Sequence, residues 1–115
     1  MTELLGIARF KIPEGKIDEY KRLSAQAMEI VRTKDTGTLE YDTYLNEDQS
    51  ECVVIERYRD SEAAIEHAAN LSEVSAAVLA IVSVVHGEVL GEPSEERRAE
   101  SESGQRRGPS TLHAL

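Results

Sequence analysis

The chain has one cysteine, no tryptophan and only three prolines, and its charge is short of bases: 13 Lys and Arg stand against 22 Asp and Glu. Each shortage excludes something. Cys52 alone cannot close an internal disulfide, so a stapled extracellular scaffold is out and a cytoplasmic location is expected. Met1-Thr2-Glu3 lacks the basic-then-apolar pattern of a secretory signal, in keeping with that compartment. No run approaches the roughly 18 apolar residues of a membrane span, so no membrane association is expected. The net charge of −9 sits wholly in residues 1–92, which hold 18 acids and 9 bases, whereas residues 93–115 hold 4 of each. Phosphate backbones are bound through clustered Lys and Arg, so nucleic acid is not an expected partner.

Metal and nucleotide cofactors are not expected either. His67, His86 and His113 are scattered, with no H-x-x-x-H and no His/Cys cluster at ligand spacing. Gly87 and Gly91 flank a strand-like run instead of opening a helix, so they do not form a phosphate loop. Cys52 has no basic neighbour in sequence and reads as an inert strand residue.

What the sequence does contain is periodicity. At 115 residues there is room for one domain. Leu4 to Ile12 is apolar-rich and stops at Pro13-Glu14-Gly15, which predicts a strand and a turn. Ile17, Tyr20, Leu23, Ala27, Ile30 and Val31 then recur every three or four residues, predicting an amphipathic helix with acids early and bases late and Gly37 as its stop. Residues 38–46 alternate, with Leu39, Tyr41, Thr43 and Leu45 on one face; residues 52–58 are dense in β-branched side chains, and the polar link between them predicts a hairpin. Asp60-Ser61 caps a helix reaching about His67–Ala69, and a further helix starts at Asn70 or Ser72. Val84 to Leu90 closes as a strand.

The order β-α-β-β-α-β, with its second helical stretch broken, is that of an α+β, ferredoxin-like fold: a four-stranded antiparallel sheet with the helices on one face. The other face is left bare. Leu5, Ile7, Leu39, Val53, Ile55 and Val89 are assigned to one sheet face and Ala8, Phe10, Val54 and Leu90 to the other, so both are apolar and the bare one is expected to pair with a second copy. The domain is expected to span 1–93. Residues 94–115 are dominated by Ser, Glu, Arg and Gly and are expected to be disordered alone, with a short helix over 94–102 as the alternative.

One group of residues suggests chemistry. Glu56 and Tyr58 share a face of the third strand, and a buried Glu is seldom tolerated without a partner or a task. With His67 they would make one polar spot suited to proton transfer on a small phenolic or carbonyl compound. The alternatives are a His67 at the surface or at the edge of the core and a Glu56 paired with Arg9, Lys11 or another base.

The succession Gly37-Thr38-Leu39-Glu40-Tyr41, Val53-Val54-Ile55-Glu56-Arg57-Tyr58, Asp60-Ser61-Glu62-Ala63 and Glu66-His67 resembles the antibiotic biosynthesis monooxygenase family, quinol monooxygenases included. The resemblance covers about residues 4–92 and implies a dimeric α/β barrel with a pocket between sheet and helices in each subunit. It also implies oxygenation of polycyclic phenols or quinols by dioxygen without metal or flavin; other members degrade haem. Carried over, it makes His67 and Tyr58 catalytic and Tyr41 and Glu56 substrate-binding. Tyr58 stands where Trp is common, Ser72 where many members place a second His, and the first strand lacks the Asn of several active members. The expected function is a cofactor-independent monooxygenase-like enzyme acting on an aromatic, phenolic or quinone-like compound. The alternatives are a non-catalytic dimeric module binding a small apolar ligand and, further off, an isomerase or lyase.

Overall fold

A computed structural model describes residues 3–91 and the backbone of His113–Ala114. The order is β1 (Leu4–Lys11), α1 (Ile17–Lys34), β2 (Thr38–Leu45), β3 (Glu51–Tyr58), α2 (Ser61–Asn70), α3 (Ser72–Leu79), β4 (Ser83–Leu90) and β5 (His113–Ala114). Four antiparallel strands in the order β4-β1-β3-β2 make the ferredoxin-like sheet, and β5 adds two residues beside β2. The fold is the one the sequence order implies. β5 is an addition to it, since the segment 94–115 shows no strand signal; the rest of that segment, and the boundary at 93, lie outside the described residues.

Register decides which side chains meet the helices. β1 and β3 pair Leu4 with Tyr58, Gly6 with Glu56, Ala8 with Val54 and Phe10 with Cys52; β2 sets Tyr41 opposite Glu56 and Leu45 opposite Cys52. Because alternate residues share a face, this row points at the helices. Tyr20 of α1 packs with Ile12, Leu45, Cys52 and Val82, while Leu4 and Tyr58 pack with Ala63 and Ala64 of α2. Each such fully buried large side chain contributes roughly 1.5–3 kcal/mol. Burial pushes the Cys52 thiol up to about 11, and its Sγ donates to the Tyr20 hydroxyl at 3.1 Å, so it is an inert core group.

The opposite face carries Leu5, Ile7, Val53, Ile55 and Leu90 together with ion pairs of Arg9 to Glu51 (3.2 Å) and Arg57 to Glu40 (3.3 Å). One assignment is corrected here: Val89 pairs with Gly6 and packs on Leu4 and Tyr58 on the helix side, whereas Leu90, opposite Leu5, points away. The register of β1 on β4 shifts between Arg9 and Phe10, and such a slip breaks simple alternation. Leu39 likewise leaves its expected row, lying where the β2–β3 register shifts, and is exposed.

α1 ends at Lys34 without help from Gly37, because Asp35 already takes an extended backbone. Gly37 serves another purpose. A Cβ there would stand 2.5 Å from the Ala63 Cβ, so only glycine lets the α1–β2 connection lie against α2. Gly37→Ala should therefore lower stability by about 1–3 kcal/mol in urea unfolding. Gly87→Ala, where a Cβ meets nothing within 4 Å, should leave the midpoint unchanged or raise it.

Candidate active site

α2 brings a histidine to the sheet. Asp60 caps it, its carboxylate accepting from the Ala63 amide at 2.9 Å. From that start Ala63, Ala64 and His67 fall on one buried face, and the two small alanines let the helix come close. The His67 ring lies beside two tyrosines, its centroid 5.3 Å from that of Tyr41 and 5.2 Å from that of Tyr58.

Each ring nitrogen faces a carboxylate. Nδ1 is 2.6 Å from Asp35 Oδ2, and Nε2 is 3.7 Å from Glu56 Oε1. The Asp35 side chain is only 1% exposed. It also accepts from Asn70 Nδ2 at 2.8 Å and from the Thr38 hydroxyl at 2.7 Å. Burial works against its charge, but the hydrogen bonds from Asn70, Thr38 and His67 outweigh that and hold its pKa below the ordinary value. An ionised carboxylate only accepts, so the hydrogen on Nδ1 points at Asp35, and in the neutral ring Nε2 keeps its lone pair. Glu66 steadies the same connection from α2 by accepting from the Thr36 amide at 2.8 Å.

Glu56, His67 and Tyr41 form one wall of a cavity of about 150 Å³ between the sheet and the helices. Phe10, Ala27, Val54, Val74 and Val78 make much of the rest. Burial, with the negative charges of Glu56 and Asp35 added to it, raises the Tyr41 phenol above its ordinary value, leaving it a neutral hydrogen-bond donor. Tyr58 is placed differently from the other three candidates. It is 1% exposed, does not line the cavity, and donates its hydroxyl to Glu56 Oε1. Glu56 therefore takes a phenol as its partner in place of Arg9 or Lys11, both of which belong to the other sheet face.

The residue that sequence reasoning missed is Asp35. It lies 32 positions before His67 and has no periodic neighbour to mark it. The available signal was an Asp directly after the helix and ahead of Thr36-Gly37-Thr38, a polar turn that can bond its own loop. Asn70, which carries the second hydrogen bond to it, read only as a helix boundary.

Residues 5–80 match the antibiotic biosynthesis monooxygenase family. The chain belongs to that family. No curated protein sequence matches it. Solved structures of similar fold include MupZ from Pseudomonas fluorescens, at 24% identity and a TM-score of 0.73, covering 87% of this chain and 76% of that one. Rv0793 from Mycobacterium tuberculosis is 27% identical with a TM-score of 0.69, over 81% of this chain and 97% of that one. SnoaB from Streptomyces nogalater, a cofactor-independent oxygenase, is 17% identical with a TM-score of 0.66, over 82% and 96%.

Within the family frame, Ser72 opens α3 and is exposed, so no second imidazole stands there. His86 lies on β4 opposite Arg9, with the helix-free face. Among the described residues no group of three or more His, Cys, Asp or Glu could hold a metal, and no helix is long and apolar enough to cross a membrane.

Proposed function

We propose that this chain is a cofactor-independent monooxygenase acting on an aromatic, phenolic or quinone-like compound. The observation that carries the reading is the Asp35–His67 pair, whose imidazole lines a largely apolar cavity with its second nitrogen toward Glu56. Family membership and the likeness to SnoaB, named as a cofactor-independent oxygenase, support it. Nε2 of His67 takes the proton of a substrate hydroxyl; that O–H bond breaks and an N–H bond forms. Tyr41 donates a hydrogen bond that orients the substrate oxygen. Glu56, held by Tyr58, faces Nε2 and stabilises the charge the ring acquires. The electron-rich phenolate then reduces dioxygen. For a hydroquinone, one oxygen atom enters the ring, the other leaves as water, and the product is a hydroxyquinone; the substrate supplies all the electrons.

A hydroquinone panel in an oxygen electrode should show one dioxygen consumed per substrate oxidised. Uptake no faster than spontaneous oxidation across the panel would replace this reading with a ligand-binding module. We further propose that the helix-free face, with Leu5, Ile7, Val53 and Ile55, pairs two copies into the barrel, in the cytoplasm. Sedimentation at micromolar concentration should give a dimer, and a clean monomer rules the barrel out.

A further inference from the structure

The proposed reaction leaves open how large the substrate is and what charge it carries. Volume bears on the first. A cavity of about 150 Å³ is the size that holds one benzene ring, and close-packed walls do not swell to take three fused rings without displacing side chains. Phe10 of β1, Val54 of β3 and Val74 and Val78 of α3 set those walls. A three-ring compound of the kind implied by family resemblance exceeds this volume, and the part beyond one ring would have to extend through the mouth at Ser75.

Charge bears on the second. The polar wall holds Glu56, with the Asp35 carboxylate immediately behind His67, and among the described residues no Lys or Arg lines the cavity. Arg9 and Arg57, bases of the same sheet, extend to the opposite face and pair there with Glu51 and Glu40. A ligand carboxylate or phosphate would be stripped of water beside two carboxylates, with no Lys or Arg of the described lining to oppose it. A neutral hydroxyl meets the reverse situation: Nε2 accepts from it, and the ring that gains the proton lies between Asp35 and Glu56.

We propose that this cavity selects uncharged single-ring phenols and excludes both their carboxylated and their three-ring counterparts. The proposal rests on the reading that the His67 cavity is the reactive site, and it is tested by binding so that the two can fail separately. The full chain is melted with phenol, with 4-hydroxybenzoate and with 9-phenanthrol. Phenol at about ten times its Kd should raise Tm on the order of 5 °C, and the other two at equal concentration should not. Ala27→Leu, which fills the cavity, should abolish the phenol shift; if it does not fold, Ser75→Trp at the exposed mouth makes the same test. A shift from 9-phenanthrol or 4-hydroxybenzoate equal to that from phenol, no shift from phenol, or a phenol shift surviving in the filled variant overturns the proposal. Phenol binding in a protein that consumes no oxygen with any phenol upholds this inference and removes the oxygenase. Oxygen uptake driven by a three-ring phenol upholds the oxygenase and removes the size limit.

Discussion

His67→Ala should lower oxygen uptake on any active hydroquinone by about 10²–10⁴-fold, the range a positioned general base supplies. Alanine alone is an ambiguous test, because it also takes from the buried Asp35 carboxylate its hydrogen bond with His67, leaving those of Asn70 and Thr38. That loss costs about 1–3 kcal/mol of stability and could lower activity by itself. His67→Asn separates the two effects. Its side-chain amide can still donate toward Asp35 from near the Nδ1 position, but nothing replaces Nε2. We expect His67→Asn to melt closer to the parent than His67→Ala does, while its turnover falls as far. An asparagine variant that keeps the parent's rate would take His67 out of the proton-transfer step, whatever the alanine variant does.

How much of this site can be read from sequence depends on whether a residue's neighbours announce it. Tyr41 and Glu56 face each other because two alternating runs flank a short polar link, and a hairpin fixes their register. His67 follows from the Asp60 cap, since Ala63, Ala64 and His67 are then on one helical face. Tyr58 shows the limit of such parity. It has the same face as Glu56, as alternation requires, but it is buried outside the cavity lining and meets Glu56 through its hydroxyl, and no pattern conveys depth. Val89 and Leu90 show a second limit, since one register shift in the neighbouring pairing exchanged their faces. Asp35 shows a third. It belongs to a connection whose position is set by Gly37 against Ala63, a contact between residues far apart in the chain. The helix-free face was legible as apolar, but its cross-strand ion pairs, Arg57 with Glu40 and Arg9 with Glu51, emerge only once strand order is known.

The Asp35 carboxylate carries the second large effect, and it separates positioning from folding. In Asp35→Asn the new amide can donate to Nδ1, which then accepts; the ring hydrogen moves to Nε2, where it blocks proton uptake from a substrate. Turnover should fall about 10²–10⁴-fold, comparable to loss of the base itself. Asp35→Ala should cost similar activity and, in addition, leave Asn70 and Thr38 without their shared acceptor, lowering stability by about 1–3 kcal/mol. The pH dependence gives a readout that packing alone would not produce. Asp35 has a folded-state pKa below the ordinary carboxylate value, so its ionisation stabilises the fold above the unfolded pKa, near 3.8. That contribution is lost as pH falls through the still lower folded value. The share of the stability gap between the parent and Asp35→Asn that comes from the Asp35 charge should therefore close progressively below about pH 4. Urea midpoints at pH 7, 5 and 3 measure it. A gap as wide at pH 3 as at pH 5 would mean that Asp35 holds His67 by shape and not by charge, and the tautomer argument would lose its basis.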